Sequence, residues 1–384
     1  MKICFIVHDY NRHAGHSRYV AELATRFNKE HEVHVFANTF EENPDSGIHF
    51  HKVPALRFNV VTTLFSFALS CSLARLRGFD IVHTQGFCGP RADVITAHIC
   101  NRAWSRALRA SLVRQTARER VFHFLASRCE RWLYRGNRRS EVIAISQRVA
   151  RDLGACYGCR MPVHLVYHGV DLQTFSPEVR RFRTHLRSAL QIPDADTAFL
   201  YVGDLRKGAR TCLEALARIT EGHLILVSRS SPGPYAKLAA QLGITRRVHF
   251  VPPTSNVEQY YGTADALLLP SPYDAFGMVV TEAMACGLPV VVSREAGASE
   301  LICHAHNGLV LNDFNDAGTL ADCMLEIHKR PAWAKSLGER ARAAVERLSW
   351  DEIAHQTMAV YRRNLAQRDL SVSRASLKVS GTSF

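Results

Sequence analysis

Short apolar runs alternate with amphipathic segments through the first half of the chain. The run Ile3–Val7 is typical of a buried strand, and Ser17–Asn28 places its apolar residues on one face of a helix. The same pattern predicts further strands at Glu32–Phe36, Ile81–Thr84, Val94–Ala97 and Val142–Ile145. Because strands alternate with helices, the pattern predicts a parallel sheet that is covered on both faces.

The alternation starts again after Pro177. Five more strands are predicted, at Phe199–Val202, His223–Val227, Val248–Val251, Ala266–Leu269 and Pro289–Val292. A chain of 384 residues exceeds one ordinary core, so we predict two α/β domains, residues 1–175 and 176–349. A helix at about 350–366 is expected to pack back on the first domain, and the small polar residues 367–384 are expected to be disordered.

Two doubly wound sheets of this kind also predict where a ligand binds. In open α/β sheets, ligands lie beyond the carboxyl ends of the strands. If the strand ends of the two sheets face each other, they form a deep cleft between the domains. Neither GxGxxG nor the Walker phosphate loop occurs in the sequence, which disfavours a nicotinamide-dependent enzyme and a P-loop nucleotidase.

The strongest chemical signal is the segment from Pro270 to Gly277, which contains Asp274 and is followed by Glu282. A helix that starts after Phe276 offers its N–H groups and the positive end of its dipole to a diphosphate. Eight residues of helix rise about 12 Å, which suits a ligand with hydroxyl groups at both ends and phosphate between them. Asp274 could then bind a sugar and Glu282 a ribose, although two such acids taken alone could equally face solvent.

This segment resembles the acid-x7-acid signature of the retaining glycosyltransferases of family 4, which have the two-domain fold called GT-B. Asp274 stands where the family usually has Glu. The resemblance implies that Phe276, Gly277 and Met278 line the site of a nucleotide-sugar donor together with Glu282. It also implies the pair of facing Rossmann-like domains that the strand pattern predicts.

The loop from Val202 to Gly208 resembles the phosphate-binding loop of the family's second domain. Lys207 matches the family's lysine, whereas Asp204 occupies the position of the usual arginine. We expect Arg206 to supply the missing charge. Two cations beside a diphosphate neutralise the leaving group, as a metal ion does in other transferases.

Two first-domain residues complete the predicted site. Gly15 matches the glycine loop that approaches the diphosphate, although Ala14 stands where the family usually has a first glycine. His98 ends a predicted strand at the position of the family's active-site histidine. An isolated histidine there is more often a structural hydrogen-bonding residue, but the resemblance implies that His98 contacts the donor sugar or orients the acceptor.

The resemblance also implies a mechanism. Retaining members of this fold transfer the sugar on one face, and the departing diphosphate helps to deprotonate the acceptor hydroxyl. The protein then stabilises the oxocarbenium-like sugar and the leaving phosphate. No metal ion and no cofactor are expected, and the nucleotide sugar is a substrate.

The positive charge of the chain is concentrated in one segment. The formal net charge is +13, and residues 102–151 contain thirteen Arg against three Glu. Such a segment attracts nucleic acid, anionic lipid or a phosphorylated acceptor, although a solvated basic face explains it equally well.

The uncharged stretch Phe58–Ala74 is predicted to form one or two helices, with an interfacial membrane element as the alternative. Together, this stretch and the arginine-rich segment favour a membrane-associated acceptor, such as a lipid-linked glycan or the lipopolysaccharide core.

We therefore expect a cytoplasmic hexosyltransferase, peripheral on the inner face of the cell membrane, with a UDP-sugar as donor. We expect no signal peptide, and the eleven scattered cysteines suit reduced thiols. A sugar-nucleotide epimerase and an inactive scaffold of the same fold are the alternatives. A basic polyanion-binding protein is the alternative from a different class, but no aromatic stripe is interleaved with the basic residues, so nucleic acid is not expected as a partner.

Overall fold

The computed structural model describes residues 1–12, 15–40, 47–74, 76–89, 92–111, 115–136 and 140–380, with backbone alone at Val60 and residues 371–380. The chain forms two compact units. The first contains Met1–Ser105, Gln115–Gly169 and Trp350–Phe384, and the second contains Arg106–Arg114 and Val170–Ser349. The main division therefore follows Gly169, whereas the hydrophobic pattern placed it after residue 175.

A sheet of seven parallel strands forms the centre of the first unit, with the order β5-β3-β1-β6-β7-β8-β9. The strands of this unit are β1 (Lys2–Ile6), β2 (Asp9–Tyr10), β3 (Glu32–Ala37), β4 (Thr39–Phe40), β5 (His49–Lys52), β6 (Ile81–Gln85), β7 (Val94–Ala97), β8 (Glu141–Ala144) and β9 (Val163–Leu165). The short strands β2 and β4 pair with each other outside the main sheet. The hydrophobic pattern missed β5 and β9, because β5 consists largely of histidine and lysine and β9 has only three residues.

In the described part of this region, five helices accompany the strands: α1 (Gly15–Phe27), α2 (Val60–Leu73), α3 (Asn101–Ala110), α4 (Ala117–Gly136) and α5 (Gln147–Tyr157). The apolar face of α1 is buried as its spacing predicts, through Tyr19, Val20, Leu23, Ala24 and Phe27. In the sheet beside it, Ile3 of β1 pairs in register with Val33 of β3 and Ile81 of β6, and all three are buried. Because strands covered on both faces bury their apolar side chains, these central strands form the core of the first unit.

The uncharged stretch that starts at Phe58 forms a single helix, α2. Asn59 caps this helix, since its side chain accepts from Thr62 N at 3.0 Å and its own N–H donates to the Thr62 hydroxyl. Phe67 faces the core, whereas Leu69 and Leu73 are exposed. Among the described residues, no helix combines the length and the apolar character needed to cross a membrane.

The second unit contains a six-stranded parallel sheet with the order β12-β11-β10-β13-β14-β15. Its strands are β10 (Ala198–Val202), β11 (His223–Val227), β12 (Val248–Val251), β13 (Ala266–Leu269), β14 (Val290–Ser293) and β15 (Leu309–Leu311). Numbered within the unit, the order is 3-2-1-4-5-6, that of a nucleotide-binding doubly wound sheet. The five strands that the pattern predicts in this half are all present, and the short strand β15 is added at the edge.

The helices of the second unit are α6 (Arg183–Ala189), α7 (Ala209–Leu216), α8 (Gly233–Gln241), α9 (Glu258–Thr263), α10 (Met278–Ala285), α11 (Ala317–Lys329) and α12 (Pro331–Val345). A fully buried arginine, Arg187, fixes α6. Its guanidinium donates to the Thr263 carbonyl and, at 2.6 Å, to Asp265 Oδ2. Because the buried charge is paired and hydrogen-bonded, this part of the fold tolerates it.

The last helix, α13 (Trp350–Ser380), packs on the first sheet. Its Tyr361 hydroxyl lies 2.6 Å from Nδ1 of His83 in β6. The helix extends to Ser380, past residue 367, from which the sequence predicts disorder. The segment lacks Gly and Pro, and Arg368 donates to the Asp80 carbonyl at 2.9 Å, so the helix continues. Residues 381–384 of the predicted tail lie outside the described part of the chain.

Candidate active site

The second sheet has a switch point between β10 and β13. These strands are neighbours, while the chain leads from β10 through β11 to β12 on the other side. Ligands of open α/β sheets bind at such a point, beyond the carboxyl ends of the two strands. The loop after β10 contains Gly203–Gly208 and the loop after β13 contains Pro270–Gly277. The topology therefore brings together two segments that lie far apart in sequence.

Gly208 allows the two loops to touch. Its φ of +118° belongs to the left-handed region, and a Cβ at this position would lie 2.1 Å from the Pro270 carbonyl oxygen. Only glycine satisfies both conditions. The preceding residues Leu205–Lys207 form one short 3-10 turn, which places Arg206 and Lys207 at the strand ends.

Asp204 and Arg206 pair with each other inside the first loop. The Arg206 guanidinium donates to Asp204 Oδ2 at 2.8 Å, and the Ser230 hydroxyl donates to Asp204 Oδ1 at 3.1 Å. Burial alone would raise the pKa of Asp204, but the hydrogen bonds from Arg206 and Ser230 outweigh burial and hold this pKa below its usual range. The expected extra cation, Arg206, is therefore balanced by the acid that replaces the family's arginine. Ser230, which supports this pair, was not predicted, because a lone serine after a strand has no distinctive pattern.

Lys207 and Asp274 meet across the two loops. Lys207 Nζ lies 2.9 Å from Asp274 Oδ2, and their side chains are 28% and 19% exposed. An ion pair at partly exposed strand ends contributes little to stability. The pair does offer two binding groups side by side, because the ammonium group can bind phosphate and the carboxylate can accept hydrogen bonds from hydroxyl groups.

The backbone holds Asp274 in place on both sides. Its N–H donates to the Glu295 carbonyl at 3.1 Å, and its carbonyl accepts from Gly297 N at 2.9 Å. After the buried Phe276, Gly277 caps α10 with a φ of +95°, and Met278 opens the helix. The predicted helix start is thus present. The first N–H groups of a helix have no partner within the helix, so this end of α10 suits an anion.

Glu282 lies in the middle of α10 and is 7% exposed. The Tyr261 hydroxyl of α9 donates to its Oε2 at 2.9 Å. The alternative in which Glu282 faces solvent is therefore wrong. Sequence reasoning missed Tyr261, because a tyrosine on a short helix is indistinguishable from an ordinary core residue.

In the first unit, Gly15 and His98 both lie near the carboxyl ends of strands of the first sheet. Gly15 opens α1, while Ala14 before it lies outside the described residues. His16, the next residue, has its ring centroid 6.1 Å from that of His98. The strand order brings them together because α1 follows β1 and His98 follows β7.

His98 is held by two side chains. Its Nε2 lies 2.7 Å from Gln85 Oε1, an acceptor, so Nε2 carries the proton. Its Nδ1 lies 3.3 Å from His168 Nε2. Burial first, and then the neighbouring histidines, hold the pKa of His98 well below its usual range. Neutral His98 adds no charge to the site, and because Nε2 donates to Gln85, its other ring nitrogen, Nδ1, is an acceptor.

A cavity of about 730 Å³ opens beside His98 in the first unit. Apolar side chains of α2 and α4 line much of it, including Phe65, Phe122 and Leu125. Glu130 of α4 also lines it and is 6% exposed. Three donors reach its carboxylate, namely Asn101 N, Asn101 Nδ2 and the Tyr157 hydroxyl. Burial raises the pKa of Glu130 to about 7, against the opposing effect of these hydrogen bonds.

Solved structures of other proteins share this architecture. WaaG, a glycosyltransferase involved in lipopolysaccharide biosynthesis, has a TM-score of 0.77 and 22% identity, covering 93% of this chain and 98% of that one. The Anabaena protein HepE, solved with UDP-glucose, has a TM-score of 0.71 and 18% identity, covering 96% of this chain and 100% of that one. Likeness at these identities concerns the fold, which is the two-domain GT-B fold of glycosyltransferases.

Family profiles narrow the class further. The family described as Glycosyl transferases group 1 matches residues 182–344, and the one described as Glycosyltransferase Family 4 matches residues 13–174. The two matches together cover both sheets. The chain is therefore similar to glycosyltransferases of the GT-B fold in both of its units.

A related sequence is the D-inositol 3-phosphate glycosyltransferase of Xylanimonas cellulosilytica. It is 33% identical over 241 residues, which are 59% of this chain and 58% of that protein. The chain thus spans less than two thirds of the length of this relative.

Proposed function

We propose that this chain transfers a hexose, with retention of configuration, from a UDP-sugar to a hydroxyl group of a cell-envelope glycan or lipid-linked acceptor. The observation that carries the proposal is the Lys207–Asp274 pair, 2.9 Å apart at the switch point of the second sheet. A cation for phosphate and a carboxylate for hydroxyl groups are adjacent there, beside the start of α10. HepE, which shares the fold, was solved with UDP-glucose, and this supports the choice of donor.

Each donor group would have a partner in the second unit. The diphosphate lies against Lys207 and the first N–H groups of α10, so its charge is stabilised as it departs. Asp274 accepts hydrogen bonds from the sugar, and Glu282 accepts one from the ribose while Tyr261 holds its other oxygen. The leaving phosphate takes the proton of the acceptor hydroxyl, and the new bond forms on the face that the phosphate leaves. This proposal assigns no covalent step to the protein and no step to a metal ion.

The first unit would bind the acceptor in the cavity beside His98. A space of about 730 Å³ with largely apolar walls suits a glycan attached to a lipid better than a free sugar. His98, neutral and fixed by Gln85, would orient the acceptor hydroxyl.

The exposed face of α4 supports a membrane-bound acceptor. Phe124 and Trp132 are each 61% exposed on this helix. Exposed arginines share the helix with them: Arg118, Arg120, Arg128, Arg131 and Arg135. Apolar rings among arginines on one helix suit the boundary between headgroups and acyl chains of an anionic membrane. The protein would therefore act on the inner face of the cell membrane, with nucleotide sugar supplied from the cytoplasm.

The first experiment is a donor panel. Thermal unfolding is measured with UDP-, GDP- and ADP-sugars, because a ligand that binds the folded state raises Tm. Release of the nucleotide is then measured with lipid-linked and lipopolysaccharide-core acceptors, and with D-inositol 3-phosphate, the substrate named for the relative. The anomeric configuration of the product is read by NMR. An inverted product would refute retention.

Other results would favour the alternatives. Conversion of the donor to another nucleotide sugar without acceptor indicates an epimerase. Binding of a donor without turnover for any acceptor indicates an inactive scaffold, an outcome for which the paired Asp204 and Arg206 give a structural reason. Absence of binding to anionic liposomes at low salt would refute the membrane-bound acceptor.

A further inference from the structure

A group of histidines lies on the first sheet, away from the residues assigned to transfer. Glu32 and His34 lie on β3, and His49 and His51 lie on the edge strand β5. His34 and His49 are direct partners across the parallel pair, and residues two apart on a strand share a face. The four side chains therefore project from one face. Glu32 starts β3 and His49 starts β5, so the group lies at the amino ends of the strands, whereas the predicted sugar site lies beyond the carboxyl ends.

Three of these side chains offer metal ligands at short range. One ligand atom each from Glu32, His34 and His49 lie within 4.8 Å of one another. Imidazole nitrogen and carboxylate oxygen bind Zn²⁺ at about 2.0–2.2 Å, which places two ligands of a tetrahedral site on the order of 3.4 Å apart. His34 is buried and fixed, while Glu32 and His49 are exposed and can rotate to close this gap.

His51 completes the arrangement by orienting His34. His34 Nδ1 lies 2.8 Å from His51 Nε2, and His34 Nε2 lies 2.9 Å from Glu32 Oε1. When the His34 proton is on Nδ1, it is donated to His51, and Nε2 presents its lone pair to a metal. A metal-binding histidine almost always donates its other N–H to such a partner. Two neutral histidines reach this state by exchanging tautomers, with no net release of protons.

We propose that Glu32, His34 and His49 bind one Zn²⁺ ion, with water as the fourth ligand and His51 as the residue that positions His34. The ion joins the edge strand β5 to β3 and stabilises the first unit. Lys2 is its competitor, since Lys2 Nζ lies 2.8 Å from Glu32 Oε1 and must move when the cation binds. The Lys2 side chain is 38% exposed, so its ammonium group can turn to solvent. The site is separate from transfer, for which no metal is proposed.

The test starts with the full chain after treatment with a chelator. Zn²⁺ is titrated in competition with a chromogenic chelator, and one ion per chain is expected. His49→Gln should abolish this binding, because it removes one of three protein ligands at an exposed position. His306→Gln, which changes an exposed histidine of the second unit, is the matched control and should bind as the unchanged chain does. Circular dichroism checks that each variant is folded.

Cysteines are the competing ligands, so the metal environment must be read directly. With Co²⁺ in place of Zn²⁺, nitrogen and oxygen ligands give d–d bands without thiolate charge transfer. A strong thiolate band, or undiminished binding by His49→Gln, would overturn the proposal. So would the absence of saturable binding at one ion per chain.

Two further variants separate a metal site from a plain hydrogen-bonded cluster. His51→Gln should weaken Zn²⁺ binding by about 10- to 100-fold, as expected for an outer partner of a ligating histidine. Lys2→Met should strengthen it, because the competing ammonium group is removed. Zn²⁺ should raise Tm for the unchanged chain and not for His49→Gln. Equal Zn²⁺ affinity in all of these variants would refute the assignment.

Discussion

The two units have related sheets but differ in how they use the ends of their strands. In the second unit, Lys207, Asp274 and the start of α10 gather polar groups at a single switch point. In the first unit, the corresponding region opens into a largely apolar cavity beside His98. The same topology therefore presents a charged site in one unit and an apolar one in the other. The comparison teaches that the strand order determines where a ligand binds, while the loops determine which ligand it is.

The largest effect is expected from Lys207→Ala in the second unit. If Lys207 stabilises the leaving diphosphate as proposed, its loss should lower kcat by about 10²- to 10³-fold, or roughly 3–4 kcal/mol. Steady-state release of nucleotide measures this. Arg210→Ala, which removes an exposed cation of α7 paired with Glu214, is the control and should leave kcat within twofold. Equal kcat values for the two variants would contradict the proposal that the second unit stabilises the leaving diphosphate through Lys207.

The buried acid of the first unit should make stability depend on pH. The pKa of Glu130 is raised from 4.5 to about 7, so the folded state holds this proton more tightly than the unfolded state. Stability is therefore expected to fall by roughly 2–3 kcal/mol as pH rises from about 4.5 to about 7. Denaturant unfolding across this range measures the slope.

Glu130→Gln should remove this contribution. Buried histidines such as His83, whose pKa is lowered to about 3 by burial, act in the opposite direction. These histidines are present in the unchanged chain and in the Glu130→Gln variant, so the difference between the two pH profiles isolates Glu130. Parallel profiles would mean that this carboxyl group titrates normally. Only the slope is compared, because Gln also loses an acceptor for Asn101 or Tyr157.

Substitution of one glycine in each unit tests the backbone conformation and the close contacts described above. Gly208→Ala places a Cβ 2.1 Å from the Pro270 carbonyl oxygen at a φ of +118°, and should cost roughly 2–3 kcal/mol and weaken donor binding. Gly154→Ala in α5 of the first unit meets no atom within 4 Å and should stabilise by about 0.5–1 kcal/mol. Thermal unfolding and donor titration measure both. A stable Gly208→Ala variant with normal donor affinity would contradict the close contact of the two loops.

The smallest effect is expected on the exposed face of α4. Arg131→Gln should weaken binding to anionic vesicles about fivefold, since each basic residue near such a surface contributes about 1 kcal/mol. Binding to neutral vesicles should be unchanged. Arg330→Gln, in an exposed pair with Glu326 in the second unit, is the control. Vesicle co-sedimentation at low salt measures both, and equal losses would show that the effect is one of net charge.

The sequence allowed more to be predicted in the second unit than in the first. Its strands are apolar runs covered on both faces, and its polar site residues stand in a motif with fixed spacing, as Asp274 and Glu282 do. The partners of these residues could not be predicted, because Tyr261 and Ser230 reach them through tertiary packing. The pairing of Arg206 with Asp204 was missed for the same reason, since a pattern of charges does not show which of them neutralise each other.

In the first unit, composition gave weaker information. Helices α3 and α4 lie in the arginine-rich segment, but nothing in the pattern distinguished Glu130 from an exposed acid. Its burial depends on Asn101 and Tyr157, which are distant in sequence. The edge strand β5 was missed because its histidines have no hydrophobic periodicity.

The contact between Lys207 and Asp274 has a consequence for selectivity. Lys207 and Asp274 neutralise each other. A bare phosphate, or a nucleotide without its sugar, can therefore bind Lys207 only if Asp274 loses its counter-charge. In the proposed function, a nucleotide sugar would engage both side chains at once, with its hydroxyl groups on the carboxylate and its phosphate on the ammonium group. Discrimination against the spent nucleotide, and thus its ready departure after each turnover, would follow from this one pair of side chains.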